Sequence, residues 1–344
     1  MAEKVVNLFE SGAGHHPGFR RNHAKGVCVG GHFEGNGRGA ALSHASVLTT
    51  GSVPVVGRFS FPGGNPLSED GNAQVRSFAL AFSLHGGEVW HMAMNSAPMF
   101  IVATPQAVVE QLDALRPNPA TGKSDPARIQ AFLNRHPETG ALREWVRTHA
   151  PASGFDNATY YSINAFRFID AQNRIHYVRW RLEPEQPYQP MQQSNARDPD
   201  FLAHDLHRRL EAGSVRWHLI LTEARSDDPV HDATRAWLDD RARLNIDAGT
   251  LVIDDMQTQI DGPCRDVNFD PLMLPSGIAP SDDPLLTARS AVYAESFRRR
   301  TGEAASELLR SPRAQATGDL TANPCVESAT STGTLLQSQL GWAR

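Results

Sequence analysis

The sequence has few cysteines and no long apolar run. Its three cysteines, Cys28, Cys264 and Cys325, are an odd number without short spacing, which argues against a disulfide framework or a zinc site. We therefore expect Cys28 to be a small buried apolar side chain and the protein to be cytoplasmic, in a reducing compartment. No stretch approaches the roughly 20 apolar residues of a transmembrane helix, and the first residues do not resemble a secretory signal.

The charge balance lacks a basic surplus. Lysine and arginine total 33 against 38 aspartates and glutamates, a net charge of -5, which argues against a general nucleic-acid binder. With 344 residues, 40% hydrophobic and 21% charged, the chain has a globular composition and is long enough for one large or two ordinary domains.

Alternating apolar residues predict several half-buried strands. The clearest are at 27–32, 78–84, 89–94, 163–168, 175–182, 215–221 and 249–253. Helices are predicted at 3–11, at 125–146 with a break near Pro137, at 198–211, and from Ser281 to Arg300. About eight strands with inserted and late helices predict an α+β fold built on a closed antiparallel β-barrel. The polar residues 303–344 are predicted to form a C-terminal helix and tail packed on the same domain.

Most short motifs have an ordinary explanation when they are taken singly. The glycines at 35–39 lack dinucleotide-loop spacing and indicate a turn, and His15-His16 lacks carboxylate partners for a metal. His23, at the entry of a strand, is by itself more typical of a structural histidine. Arg289 and Tyr293, four residues apart, share one face of the last helix.

Taken together and in order, seven segments resemble the heme catalases over roughly residues 15–302. They are Arg20-Arg21-Asn22-His23-Ala24-Lys25-Gly26, Gly57-Arg58-Phe59-Ser60, Asn95-Ser96-Ala97-Pro98-Met99-Phe100, Asn164-Ala165-Phe166-Arg167-Phe168, Asn268-Phe269-Asp270-Pro271, Pro275-Ser276-Gly277-Ile278-Ala279-Pro280-Ser281 and Arg289-Ser290-Ala291-Val292-Tyr293. The short chain is most similar to the catalase-related peroxidases, or mini-catalases. The resemblance implies that residues 1–302 form a catalase-like domain with heme b buried between an eight-stranded barrel and a helix.

The resemblance also implies which residues lie on the face of the heme where the protein supplies the iron ligand. Tyr293 matches the iron ligand and would bind as phenolate, with Arg289 donating to its oxygen. Asp283 matches the aspartate that orients that arginine, and Asn164 stands where the family has a histidine in the same network.

On the substrate side, His23 would be the acid–base catalyst, Asn95 would hydrogen-bond the peroxide, and Ser60 would orient His23. The arginines that match the partners of the heme propionates are Arg20, Arg58 and Arg300.

Three departures from the family pattern affect the expected activity. Val108 replaces an aromatic residue against the heme plane, Pro62 replaces a channel valine, and Gln74 replaces a channel aspartate. A wider, less charged channel favours a peroxidase that reduces hydrogen or organic peroxides with small organic donors and has low catalase activity. The alternatives are a compact catalase, a fatty-acid hydroperoxide isomerase and a heme-storage protein. Without the long amino-terminal arm of full catalases, a dimer or monomer is expected, with no nucleic-acid or membrane partner.

Overall fold

The computed structural model describes residues 1–192, 195–237 and 243–310, and its centre is a closed β-barrel. The strands are β1 (Gly26–Asn36), β2 (Thr50–Ser60), β3 (Ser77–Ser83), β4 (Val89–Asn95), β5 (Tyr160–Tyr161), β6 (Phe166–Ile169), β7 (Ile175–Pro184), β8 (Val215–Glu223), β9 (Asn245–Thr258) and β10 (Ile278–Pro280). Eight of them close a ring in the order β1, β2, β3, β4, β5, β7, β8, β9, and β6 and β10 extend it from β7. Their pairings are antiparallel, which confirms the predicted α+β barrel.

Six helices surround the barrel in the described ranges. They are α1 (Ala2–Ala13), α2 (Pro105–Leu115), α3 (Pro126–Arg135), α4 (Thr139–Thr148), α5 (Phe201–Ala212) and α6 (Pro284–Arg310). Three of them begin at a side-chain cap followed by proline: Thr104 caps α2, Asp125 caps α3, and Asp283 Oδ1 accepts from Leu285 N at 2.9 Å at the start of α6. None of these helices is long and apolar enough to cross a membrane.

Aromatic side chains fill the barrel interior. Phe59 stacks on Phe78 with ring centroids 3.9 Å apart, and Phe155 stacks on Phe59 at 4.8 Å. Tyr160 and Trp217 pack around the same rings, and both are fully buried. Because such rings remove large apolar areas from water, this cluster supplies much of the barrel's stability.

Two boundaries differ from the sequence prediction. The last helix does not end before Gly302 but continues to Arg310, because a single glycine lowers helix stability by only about 1 kcal/mol. The helix predicted at 198–211 begins at Phe201 instead. The predicted tail beyond Arg310, which includes Cys325, lies outside the described residues.

The expectation that Cys28 has no disulfide is wrong. Cys28 in β1 is bonded to Cys264 in the turn Pro263–Asp266, across a sequence separation of 236 residues. Both cysteines are fully buried and pack with Phe269, as expected for small apolar side chains. The closed barrel brings the turn after β9 against β1, so short spacing was the wrong criterion for this pair.

Candidate functional site

One cavity lies between the barrel wall, α1 and α6. All the predicted site residues except Asp283 line it: Arg20, His23, Arg58, Ser60, Asn95, Val108, Arg289, Tyr293 and Arg300. They come from the loop before β1, the ends of β2 and β4, α2, and one face of α6. The barrel thus brings residues up to 280 positions apart in the sequence to one site.

His23 is held in an uncommon backbone conformation at the cavity wall. Its φ is 58°, in the left-handed region that costs a residue other than glycine about 1–3 kcal/mol. Asn22 Oδ1 accepts from His23 N at 3.0 Å and from Gly63 N at 2.8 Å, which fixes this turn against the segment after β2. A strained residue held by its neighbours is typical of a functional position.

The side chain of His23 is oriented and kept neutral. Ser60 Oγ lies 3.3 Å from His23 Nδ1, which leaves Nε2 without a partner in the described part of the chain. Burial, followed by the positive charges of Arg58, Arg289 and Arg20, lowers the pKa of His23 to about 3. The imidazole is therefore uncharged at neutral pH and can accept a proton.

Asn95 is positioned by a residue that the sequence did not indicate. Ser77 and Asn95 are directly paired across β3 and β4, and Ser77 Oγ donates to Asn95 Oδ1 at 2.7 Å. With its oxygen engaged, the amide of Asn95 retains its NH₂ group as a donor toward the cavity that it lines. Ser77 lies opposite Asn95 on the preceding strand. The sequence does not reveal this pairing, because the register of the two strands must be known first.

Tyr293 belongs to a hydrogen-bonded chain of four residues. Arg289 Nη2 donates to Tyr293 Oη at 3.5 Å, and Arg289 Nη1 donates to Asn164 Oδ1 at 2.5 Å. Asn164 Nδ2 in turn donates to Asp283 Oδ2 at 2.8 Å. Asp283 is thus linked to Arg289 through Asn164, and its own pKa is raised by burial.

Three arginines at one end of the cavity lack an anionic partner. Arg58 and Arg300 are buried, and no carboxylate in the described ranges forms an ion pair with Arg20, Arg58 or Arg300. Burial, followed by the charge of Arg300, lowers the pKa of Arg58 to about 9, and burial lowers that of Arg300 to about 10. The buried Nε of Arg58 has no hydrogen-bond partner in the described part of the chain.

Backbone carbonyls hold two of these arginines in place. Arg20 Nη2 donates to the carbonyls of Cys264 and Val267, each at 2.9 Å, and Arg300 donates to those of Arg265 and Val267. Gly26 packs against Arg58, since a Cβ there would lie 2.8 Å from the guanidinium carbon. The cluster therefore brings three cations together without a counter-charge among the described residues, and a bound anion would neutralise it.

The remaining lining of the cavity is mostly apolar. It includes Phe78, Ala79, Ile163, Phe269, Leu285, Ala288, Val292 and Phe297. A flat apolar group that carries carboxylates at one edge and a metal with an open position for the phenol oxygen of Tyr293 fits these residues. The unpartnered Arg58 Nε and the apolar walls therefore fit heme.

The family model for catalase matches residues 18–318, so the chain belongs to the catalase family, whose proteins bind heme. The chain is 34% identical over 301 residues to a protein from Synechococcus elongatus named catalase-related peroxidase, covering 87% of this chain and 88% of that one. A catalase-related peroxidase from Mycolicibacterium paratuberculosis is 32% identical over 303 residues, covering 87% and 95%.

Solved catalase structures share the fold. A fungal catalase superposes with a TM-score of 0.75 at 19% identity, covering 94% of this chain and 70% of that chain. Catalase A from Saccharomyces cerevisiae gives a TM-score of 0.75 at 20% identity, covering 83% and 62%. The barrel and its helices therefore have the same fold as the matched part of these longer chains.

Proposed function

We propose that the chain is a heme b-dependent peroxidase that reduces hydrogen or organic peroxides with electrons from small organic donors and retains low catalase activity. The observation that carries this proposal is the neutral His23, which lines one cavity with Asn95, Tyr293 and an arginine cluster lacking an anion. The two relatives named catalase-related peroxidase support the choice of a peroxidase.

The residues that would hold the heme follow from the chemistry of each side chain. Tyr293 would ligate the iron through its phenol oxygen, which Arg289 stabilises as phenolate by donating to it. The two propionates would pair with Arg20, Arg58 and Arg300, relieving the mutual repulsion of these cations. Val108 would contact the porphyrin face, and Asp283 would keep Arg289 in place through Asn164. When bound, heme supplies the redox-active iron at which the O–O bond of a peroxide is broken.

His23 would move the proton that peroxide cleavage requires. One oxygen of the peroxide must lose a proton and the other must leave protonated, and a single neutral imidazole can accept and return that proton. Because Nδ1 faces Ser60 Oγ, Nε2 is the atom assigned to this transfer. Asn95 would donate from its amide nitrogen to the bound peroxide while Ser77 holds its oxygen.

The second cavity, which meets the first beside His23, favours peroxidase over catalase chemistry. Pro62 and Gln74 line it, together with apolar side chains such as Met99 and Ile101. Its two charged lining residues, Glu69 and Arg116, have opposite signs, and an approach without net charge admits organic molecules but gives hydrogen peroxide little electrostatic guidance. A compact catalase is the second candidate, because the His23 and Asn95 pair serves either reaction.

The spectrum of the purified protein during stepwise addition of peroxide, with and without a phenolic donor, tests the proposal. We expect a heme spectrum that changes with peroxide and returns to the resting form when the donor is added. Oxygen release at full catalase speed without donor oxidation would favour the compact catalase instead.

Replacement of His23 separates the enzyme from a heme-storage protein. We expect His23→Ala to keep its heme while losing about 10²–10⁴-fold in rate with peroxide. A storage protein would have no activity to lose. Cytoplasmic location and a dimeric or monomeric state stay predictions, which cell fractionation and light scattering can check.

A further inference from the structure

Two cavities meet at His23 in the described part of the chain. The first extends to Tyr293 and the arginine cluster, and the second extends to the exposed residues Glu69 and Arg116. Six residues line both of them: Phe9, Asn22, His23, Asn95, Phe100 and Val108. These six form the junction at which the two cavities adjoin, so a molecule that moved from the second cavity into the first would pass them.

The junction has a polar side and an apolar side. The polar side consists of Asn22, His23 and Asn95, which the site already uses. The apolar side consists of Phe9, Phe100 and Val108, and Val108 is small. The two phenylalanines therefore contribute most of the apolar bulk there.

Phe9 lies on a helix that forms a wall of both cavities. Along α1, Val5 lines the first cavity, Leu8 and Gly12 line the second, and Phe9 lines both. The spacing of Val5 and Phe9 by four residues places them on one face of the helix. The side chain of Phe9 therefore lies at the edge that separates the two cavities.

Ion pairs next to Phe9 fix the helix. Glu10 pairs with Arg21 Nε at 2.6 Å and with Arg299 Nη1 at 2.8 Å, and Arg299 also donates to Asn7 Oδ1 at 2.8 Å. The charged side chains of Arg21, Glu10 and Arg299 are largely buried, so salt screens their two ion pairs less than it screens ordinary surface pairs. The backbone of Phe9 is thus anchored, so a change in the volume of its side chain acts on the junction directly.

Phe9 also differs from its two apolar neighbours in packing. Phe100 and Val108 pack against the apolar cluster around Val102 and Phe132, whereas Phe9 belongs to none of the apolar clusters in the described ranges. A smaller side chain at position 9 therefore enlarges the junction without removing a core contact.

We propose that Phe9 is a specificity-determining residue that limits the size of the organic molecule reaching His23 and Asn95 through the second cavity. The molecules in question are apolar, because Phe61, Met99, Ile101, Leu112 and Leu115 line the second cavity. This inference rests on the proposed function for its substrates, organic hydroperoxides and aromatic donors. Hydrogen peroxide is small enough to pass the phenylalanine in either case.

The test measures how fast ligands of two sizes reach the heme in the holoenzyme. Stopped-flow changes in the heme spectrum report cyanide, a small probe, and 4-phenylimidazole, a bulky apolar probe. We expect Phe9→Ala to raise the association rate of 4-phenylimidazole by about tenfold and Phe9→Trp to lower it, with cyanide changing less than about twofold. Lys4→Ala, on the exposed side of the same helix, is the matched control and leaves both rates unchanged.

The relative kcat/KM for cumene hydroperoxide and hydrogen peroxide should shift in the same direction as the rates for the bulky probe. Equal acceleration of both probes by Phe9→Ala would mean that the helix has loosened, and unchanged rates would mean that the bulky probe takes another path. Either result overturns the proposal. Ligand association needs no peroxide chemistry, so a wild-type protein that oxidises no donor would refute the proposed function while the size selection remained measurable.

Discussion

Arg289 donates to the amide oxygen of Asn164, and it is this amide that links the arginine to Asp283. The two bonds are 2.5 Å and 2.8 Å long, and both Asn164 and Asp283 are buried. An asparagine can serve both neighbours because it has an acceptor for the guanidinium and a donor for the carboxylate. Asn164 therefore fills both roles in this chain. A histidine would fill them with one ring nitrogen that carries a proton and one that does not.

Replacement of Asn164 by leucine should destabilise the fold and disturb Tyr293. The change leaves a buried carboxylate and a guanidinium without their shared partner, which costs about 1–3 kcal/mol for each group. Urea unfolding measures the loss, and the position of the main heme absorption band reports the altered environment of Tyr293. Asn164→His, which keeps a donor and an acceptor, should retain more stability than the leucine variant. Equal stability of all three proteins would contradict the role of the amide.

The low pKa of His23 predicts how activity depends on pH. A free histidine is protonated below about pH 6.5, but His23 stays neutral until the pH approaches its pKa of about 3. We therefore expect kcat/KM for peroxide to remain level from pH 7 to pH 5. A rate that halves near pH 6.5 would show that His23 titrates as an ordinary histidine.

The same shift gives a pH dependence of stability with a defined sign. The unfolded chain binds a proton at His23 below about pH 6.5 and the folded chain does not, so folding is less favourable as the pH falls. Between pH 7 and pH 5 this amounts to about 2 kcal/mol. Denaturant unfolding at both pH values should show a drop larger by that amount in the wild type than in His23→Gln, which shares the other titrating groups.

The sequence predicted the closed barrel correctly but did not predict every strand in it. Strands with regular alternation, such as β3 and β7, were identified because one face of each is buried. Strand β2 was missed because Gly51, Pro54 and Gly57 interrupt its pattern. Gly57 is there for packing, since a Cβ would lie 2.9 Å from side-chain atoms of Leu80 and Val29.

The resemblance indicated the residues with predicted roles in the cavity. It did not indicate the neighbouring residues that position them or that shape the cavity. His23, Asn95 and Tyr293 lie in recognisable segments, whereas Ser77 and Phe9 lie in segments without a motif. Their positions depend on strand register and on the packing of α1, which spacing along the chain does not encode. Helix α2 was not predicted, although Thr104 followed by Pro105 is a typical helix start.

Removal of one buried cation should weaken heme binding without weakening the fold of the heme-free protein. Arg58→Met deletes a charge whose pKa is lowered by burial and by Arg300, so the heme-free protein should be as stable as the wild type or more stable. Heme affinity should fall by about 1.5–3 kcal/mol, roughly ten- to a hundredfold. Heme titration and denaturant unfolding measure the two effects. Arg38→Met, which removes an exposed partner of Asp247, is the control and should leave heme affinity unchanged.

The Cys28–Cys264 disulfide should stabilise both the fold and the arginine cluster. It closes a loop of 236 residues, and its loss typically costs about 2–4 kcal/mol. The bond also fixes the turn Pro263–Asp266, whose Cys264 carbonyl accepts from Arg20 and whose Arg265 carbonyl accepts from Arg300. We therefore expect the double variant Cys28→Ala, Cys264→Ala to unfold at lower denaturant and to release heme faster.

Cys325→Ala is the matched control because it removes a cysteine and leaves the bond intact. Unfolding curves and the rate of heme transfer to apomyoglobin should be unchanged in this variant. Treatment of the wild type with a reductant in mild denaturant should reproduce the double variant, since both break the same link between β1 and the turn. If the double variant lost stability but released heme at the wild-type rate, the disulfide would support the barrel alone, and the carbonyls that hold Arg20 and Arg300 would owe their position to Phe269 and Val267 in the same apolar cluster.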